Sequence, residues 1–576
     1  MYKEKSSKYK SKYLNLKKKL YGGAFNITDD IKYMTSNINS LADAQTYYLK
    51  QNLFSYWISS SHNTYLPFEQ NIKETSLCYY NLQYMTYFGG CVEIDTYSVE
   101  DNNVMISHLL NSNKIKLTDI LNIVMEALIN KIEKKIVSGP FILNFDNSGA
   151  VNYLKTKEQQ KVFWDNIYSS LLDTDTNLVK KYREKIKNQF PVLFINKTFD
   201  LSQISIEDMN YKILFRWGSN KKKCKDKTVG HELCSPEDTQ AVNLEKFRGT
   251  YYEDTSKWVH LDKNKDNYTK QFVTTKNISQ STSSPAINTG FTELNIFTII
   301  NSQRNLLRMY PHWNYTSSGN YHNMKYFRDG VQITALNLQT IDDSRLLNDA
   351  VFIPPNFNYC TIENIKKNDC VNQNLILSYR LKPLWLLGLI PYPSLYDLEI
   401  TIKPENQLNS DLNFIYGLDN KISASGKEKI ILKNIDVTVP FFIVKYKSLK
   451  EDVIFNNGID IIWNNSKLTD NDLNFNIYNV KKKEQKFNDV TTKNDCVNDS
   501  LLNTTNKIEI KINFSWSLSS KTKESEKHQE KINKFNTEIL NLRKLYHDQK
   551  KEIINLLTNK TLLNEYHDDL VKAMMK

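Results

Sequence analysis

Ser55-Tyr56-Trp57-Ile58-Ser59-Ser60-Ser61-His62-Asn63-Thr64 is a short apolar run that stops in a cluster of hydroxyls, an imidazole and an amide. Such a run is long enough for a buried strand and too short for a helix. The same plan recurs downstream. Cys91-Val92-Glu93-Ile94-Asp95 alternates in polarity, and Val104-Met105-Ile106 stops at Ser107-His108. Phe141-Ile142-Leu143-Asn144-Phe145 stops at Asp146, and Lys212-Ile213-Leu214-Phe215 stops at Arg216. Helical patterns lie between these runs. Residues 117–135 carry apolar side chains at Ile120, Leu121, Val124, Leu128 and Ile132, with Thr118 as candidate N-cap, and a second pattern covers 158–172. Strands alternating with helices predict an α/β fold with a parallel sheet. Reactive side chains at strand ends are expected at the active face of a barrel.

The pattern breaks at Gly218. Lys221-Lys222-Lys223 opens a polar stretch rich in Ser, Thr, Lys and Asp, simplest at 279–284 and read as an insertion. Strand-like runs resume at 306–311, 331–337 and 379–383, which completes eight strand candidates. Farther on, Leu398-Glu399-Ile400-Thr401-Ile402 and Ile508-Glu509-Ile510-Lys511-Ile512 have period 2 and predict a β-sandwich. After Ser520, apolar residues at Ile532, Phe535, Ile539, Leu542 and Tyr546 follow 3/4 spacing, which predicts a long helix, either coiled-coil or packed back on the body. The expected plan is a basic extension and lead-in (1–50), a first half-barrel (51–217), a linker (218–290), a second half-barrel (291–390), a sandwich (391–520) and a helical segment (521–576).

The 576 residues carry a net charge of +12. Eight lysines face the single acid Glu4 in the first 20 residues. Such a balance favours acidic partners, either nucleic acid or an anionic membrane. Each lysine at an anionic surface is worth about 1 kcal/mol, with a solvated tail as the plainer reading. No nucleic-acid module is visible, so nucleic acid is not an expected partner. The seven cysteines are odd in number and form no C-x-x-C pair, which argues against a disulfide framework or a structural zinc site and predicts a reducing, cytoplasmic setting. No run of about 18 apolar residues and no secretory signal is found, so membrane contact is expected to be peripheral.

Of nine histidines, only His62 and His108 fall in the first 200 residues. They, Asn63, Glu93, Asp95 and Asp146 sit at the ends of predicted strands. If those strands are neighbours, six side chains meet at one mouth. Three carboxylates and an amide oxygen form a hard-oxygen set suited to Ca²⁺ and looser than Mg²⁺ demands. No close-spaced histidine pair supports zinc. Two histidines beside a divalent cation suit phosphoryl transfer, one stabilising charge and one donating a proton. One strand-end histidine or acid is more often structural. Several on successive strands move the reading to a metal-assisted phosphodiesterase.

These residues resemble a known family. Trp57-Ile58-Ser59-Ser60-Ser61-His62-Asn63-Thr64-Tyr65-Leu66 and Gly90-Cys91-Val92-Glu93-Ile94-Asp95 are similar to the X region of eukaryotic-type phosphoinositide-specific phospholipases C. Leu307-Arg308-Met309-Tyr310-Pro311, Gly330-Val331-Gln332-Ile333-Thr334-Ala335-Leu336-Asn337-Leu338-Gln339-Thr340 and Tyr379-Arg380-Leu381-Lys382-Pro383 are similar to its Y region. Asn456-Asn457-Gly458 followed by Trp463-Asn464 resembles a segment of the family's C2 domain. The resemblance implies a TIM-type (β/α)8 barrel built from the X and Y halves, then a C2-like sandwich. It implies Ca²⁺ held by Asn63, Glu93, Asp95 and Asp146. His62 would stabilise the transition state, His108 would protonate the diacylglycerol oxygen, and Glu93 or Asp146 would deprotonate the inositol 2-hydroxyl. Arg216, Arg308 and Tyr310 would hold the inositol ring and its phosphates. The implied reaction splits phosphatidylinositol or its phosphates, at an anionic membrane surface, into diacylglycerol and inositol phosphate through a cyclic phosphate.

The chain departs from the family at four places. Asp146 replaces a Glu, and Arg216-Trp217-Gly218 replaces two lysines around a Gly. Gly290 stands for a Ser, and Leu109 for a Gly. The headgroup departures support a second reading, a membrane-binding protein with the family's barrel and weak or no turnover. The Tyr/Lys-rich start ending in Leu20-Tyr21-Gly22-Gly23 resembles extensions on proteins of large DNA viruses, which would add the virion as a setting. The sequence does not specify an oligomeric state.

Overall fold

The computed structural model describes residues 51–66, 79–108, 114–136, 138–146, 157–171, 175–186, 192–194, 205–218, 258–260, 306–311, 319–340, 342–352 and 378–383, the strands given below between 395 and 518, and a few single residues. The basic extension, most of the 218–290 segment and nearly all of 521–576 lie outside the described residues.

Among the described residues, the first part of the chain holds strands β1 (Tyr56–Ile58), β2 (Ser61–His62), β3 (Cys91–Glu100), β4 (Asn103–Ile106), β5 (Ile115–Lys116), β6 (Phe141–Asp146), β7 (Val192–Phe194), β8 (Ile213–Gly218), β9 (Trp258–His260), β10 (Leu306–Met309), β11 (Ile333–Thr334), β12 (Leu336–Asn337) and β13 (Tyr379–Leu381). Helices α1 (Tyr79–Phe88), α2 (Leu117–Glu133), α3 (Lys157–Leu171), α4 (Asn177–Lys185), α5 (Asn323–Arg328) and α6 (Asp343–Phe352) lie between them. β9, β10, β11 and β1 pair in parallel, and so do β3, β6, β8 and β7. A parallel bridge between Ser60 and Cys91 joins the two sets. This is the alternating β/α order of a TIM-type barrel. Tyr56, Trp57 and Ile58 are all fully buried, because strands covered on both faces carry continuous apolar runs.

Several expectations change. Val104-Met105-Ile106 was expected among parallel neighbours, but β4 runs antiparallel to β3 as the return arm of a hairpin turning at Asp101 and Asn102, both at positive φ. The predicted closing strand, now β13, is antiparallel to β1. β7 and β9 join the parallel set from segments not read as strands, and Trp258–His260 falls inside the stretch read as linker. The single run 331–337 splits at Ala335, so β11 pairs with β1 and β10 while β12 pairs with β2. Helix α2 starts at Leu117 with Lys116 at the cap, so Thr118 is not the N-cap.

The two halves of the barrel are stitched by buried side chains. Gln332 Nε2 donates to Phe54 O at 3.2 Å, and its Oε1 accepts from Leu307 N at 3.0 Å. Trp57 Nε1 donates to Phe327 O at 3.1 Å. Tyr379 lies against Gly90 and Gly139 and donates to Pro140 O at 2.6 Å. A Cβ at Gly90 would lie 3.1 Å from the Tyr379 ring, so this position needs glycine for the close approach.

Beyond the barrel come β14 (Leu395–Lys403), β15 (Asp411–Tyr416), β16 (Asn420–Ser423), β17 (Lys429–Asp436), β18 (Phe442–Lys447), β19 (Trp463–Asn464), β20 (Lys467–Leu468), β21 (Asn471–Tyr478) and β22 (Lys507–Leu518). Antiparallel pairing gives a four-stranded sheet, β17-β14-β22-β21, and a three-stranded sheet, β16-β15-β18. Period-2 alternation suits sheets with one face buried, and Leu398 and Ile400 are fully buried as that pattern requires. Among the described residues, no helix is long and apolar enough to cross a membrane.

Candidate active site

The site grows from the end of β2. His62 and Asn337 are register partners on β2 and β12, and His62 Nδ1 lies 2.9 Å from Asn337 Oδ1. The other ring nitrogen, Nε2, lies 3.5 Å from Glu93 Oε2. The Tyr310 ring stacks parallel to the imidazole with centroids 6.1 Å apart.

The next residue, Asn63, takes φ +44°, a left-handed conformation that Asn tolerates better than most side chains. The turn locks the loop onto β3. Asn63 N donates to Glu93 Oε2 at 3.4 Å, Thr64 N donates to Glu93 O at 3.3 Å, and Glu93 N donates to Thr64 Oγ1 at 3.2 Å. The Asn63 side-chain oxygen is buried without a hydrogen-bond partner. An unmet buried acceptor is costly, so it points to a missing cation or donor.

Glu93 is 2% exposed and sits at the centre of the constellation. Its Oε1 lies 2.6 Å from an Arg308 guanidinium nitrogen and 3.5 Å from Asn144 Nδ2. A buried carboxylate is tolerable only with such partners. The Arg308 guanidinium stacks 4.6 Å over the Tyr310 ring, which fixes the arginine head.

Parallel register orders the rest. Glu93, Asn144 and Arg216 share one level across β3, β6 and β8, and Asp95, Asp146 and Gly218 share the level two residues on. Side chains two apart on a strand share a face, so Glu93 and Asp95 point the same way. Asp95 accepts from Tyr65 OH at 2.9 Å. The side chains of Asp146 and Arg216 lie outside the described residues. His108 lies two residues past β4, and the antiparallel run of β4 carries the chain back toward the level of Glu93 and Asp95. The hairpin thus returns His108 toward the mouth by a different route from the parallel strand expected.

The residues fit a hard divalent cation in donor chemistry. Asn63 offers an unmet oxygen, Glu93 and Asp95 lie on one face, and Asp146 is level with Asp95. Among the described residues, no three His, Cys, Asp or Glu gather as a metal cluster, so the set depends on the Asn63 oxygen and the Asp146 position. Sequence reasoning assigned no role to Asn337, Asn144 or Tyr65. Both amides interrupt apolar runs, Asn144 between Leu143 and Phe145 and Asn337 between Leu336 and Leu338.

Residues 49–190 match the family described as phosphatidylinositol-specific phospholipase C, X domain. Residues 251–358 match its Y domain. A curated relative, 1-phosphatidylinositol 4,5-bisphosphate phosphodiesterase delta-4 of Xenopus laevis, is 24% identical over 363 residues, which is 58% of this chain and 43% of the relative. The chain thus spans less than half the length of that relative. Among solved structures, PLC21 of S. officinalis is 16% identical with a TM-score of 0.49, and PLC21 of L. pealei is 16% identical with a TM-score of 0.47. In each case 84% of this chain and 58% of the other are covered.

Proposed function

Carrying both an X and a Y domain, this chain belongs to the eukaryotic-type phosphoinositide-specific phospholipases C, and on that premise we propose that it cleaves phosphatidylinositol or its phosphates at an anionic membrane surface, with calcium as cofactor. The observation that carries the reading is the meeting of His62, Asn63 and Glu93 from the X half with Arg308, Tyr310 and Asn337 from the Y half.

Asn63, Glu93, Asp95 and Asp146 would hold the calcium ion. When bound, it supplies positive charge that favours ionisation of a hydroxyl and offsets charge on phosphate oxygens. The chain's own residues do the rest. Glu93, or Asp146 in its place, accepts the proton of the inositol 2-hydroxyl as that oxygen attacks phosphorus. His62, with a hydrogen on each ring nitrogen, donates from Nε2 to the phosphate oxygens and stabilises their charge. His108 protonates the departing diacylglycerol oxygen. The product of this step is an inositol cyclic phosphate, which water opens with the acid and base roles reversed. Arg308, stacked on Tyr310, and Arg216 hold the ring and its phosphates by charge-assisted hydrogen bonds. The antiparallel sheets of 395–518 serve as a C2-like platform beside the barrel, and the basic start adds electrostatic contact with an anionic surface. The working setting is cytoplasmic and membrane-peripheral.

The test is release of water-soluble inositol phosphate from vesicles of phosphatidylinositol and of its phosphorylated forms, with calcium and with chelator. Calcium-dependent product supports the reading. Vesicle binding without product from any of these lipids would replace it with the non-catalytic membrane-binding alternative.

A further inference from the structure

Asn337 is fully buried and held on every side. Its Nδ2 donates to Gly319 O at 3.2 Å. Its backbone N–H donates to Asn320 Oδ1 at 2.7 Å, and its backbone carbonyl accepts from Asn320 Nδ2 at 3.1 Å. Asn320 is anchored in turn by Asp342, through its backbone N–H at 3.1 Å and its Nδ2 at 3.3 Å. The remaining polar atom, Asn337 Oδ1, faces His62 Nδ1 at 2.9 Å.

This network decides which way the amide points. The Gly319 carbonyl can only accept, so it must face the NH₂ end of Asn337. The oxygen end therefore faces His62. An amide oxygen can only accept, so His62 Nδ1 must carry a hydrogen. The same holds whether the ring is neutral or protonated. His62 Nε2 is then the nitrogen left to face Glu93 Oε2, while Arg308 of the Y half pairs with Glu93 Oε1 and the Tyr310 ring lies parallel to the imidazole.

We propose that Asn337 is a positioning residue: it commits His62 Nδ1 to the scaffold and His62 Nε2 to the substrate phosphate. Its catalytic consequence rests on the function proposed above, whereas the tautomer it imposes does not. The contact spans the two halves of the barrel, so the X half alone does not determine which nitrogen of His62 works. Being neutral, Asn337 orients the ring without adding a charge beside Glu93. A partner that fixes tautomer and ring plane is the common companion of a functional histidine.

The experiment uses the full chain labelled with ¹⁵N-histidine, and nitrogen NMR spectra recorded where the ring is neutral. The His62 signals are those missing from His62→Ala. The parent should show His62 as the Nδ1–H tautomer. Asn337→Asp, which keeps the acceptor, should preserve that tautomer. Asn337→Leu, which keeps the shape and loses the acceptor, should shift it. In the lipid assay Asn337→Leu should lower kcat about 10- to 100-fold with KM little changed, and Asn337→Asp should retain most of kcat. An Nε2–H tautomer in the parent overturns the proposal, and so does an Asn337→Leu protein that keeps both the tautomer and kcat. If Asn337→Leu does not fold, the parent spectrum alone decides. If the parent cleaves no lipid but has the expected tautomer, and Asn337→Leu loses it, the positioning role stands and the lipase reading falls.

Discussion

Arg308 and Glu93 form a buried ion pair across the two halves of the barrel, with 2.6 Å between a guanidinium nitrogen and Oε1 and side chains no more than 3% exposed. Arg308 comes from β10 of the Y half and Glu93 from β3 of the X half, so the charge balance of one half depends on the other. Breaking such a pair from one side leaves a buried charge without its counterion. Arg308→Met should therefore lower the unfolding free energy by about 3–5 kcal/mol. The double variant Glu93→Gln/Arg308→Met should lose clearly less than the sum of the single losses. Urea unfolding of the three variants checks this, and simple additivity would show that the two residues are not coupled.

His62→Ala and His108→Ala should each lower phosphoinositide cleavage by about a hundred- to ten-thousand-fold, the range for loss of a positioned acid, base or charge stabiliser. Circular dichroism should show the parent fold. Full activity in both variants would remove the proposed mechanism.

Asn63 gives a cleaner test of the cation. Its φ of +44° suits glycine, and its buried side-chain oxygen has no hydrogen-bond partner to lose. Asn63→Gly should keep metal-free stability within about 1 kcal/mol of the parent. On the proposed ligand set, the same change should weaken calcium binding about tenfold or more. Calcium titration calorimetry and chelator-treated thermal unfolding read the two effects separately. Unchanged calcium affinity would remove Asn63 from the ligand set.

Lys131, in the last turn of α2, is 1% exposed, and burial lowers its pKa from the ordinary lysine value of 10.5 to about 7. Between those values the unfolded chain holds the proton and the folded chain does not, so stability should rise as pH increases from about 7 toward 10.5. Below the folded value both states are charged, and the folded state bears the full desolvation cost. Lys131→Met should be more stable than the parent at pH 7, with the advantage shrinking toward pH 10.5. Denaturant midpoints across this range check the sign; an advantage that grows with pH would refute it.

Gly139 has φ +59°, and a Cβ there would lie 2.9 Å from Ile206 Cγ2 and 3.0 Å from the Tyr379 ring. Gly139→Ala should cost about 1–3 kcal/mol from backbone strain, with the crowding added to it. The loss should be smaller in a Tyr379→Leu background, where the ring is absent. Thermal unfolding of the two pairs measures the difference.

Much of the candidate site was legible because its residues interrupt apolar strands. His62, Asn63, Glu93 and Asp95 are conspicuous where a buried strand should contain only apolar side chains, and all four lie at that mouth. The path to His108 was misread, because Val104-Met105-Ile106 looks the same in a parallel strand as in the return arm of a hairpin. β7 and β9 were missed because three residues carry too little periodicity to separate a strand from a loop. Asn337 and Asn144 were overlooked because a lone amide announces a role only when its partner is known.

The sequence by itself determined that strands and helices alternate, that polar and ionisable residues fall at strand ends, and that X and Y domains are present in order. These properties depend on spacing along the chain. Tertiary structure decided which strands pair, that Glu93 is neutralised by Arg308, and which nitrogen of His62 faces the mouth. The last two outcomes depend on contacts between residues more than 200 positions apart, Glu93 with Arg308 and His62 with Asn337, and no local pattern encodes the direction in which two buried polar groups meet.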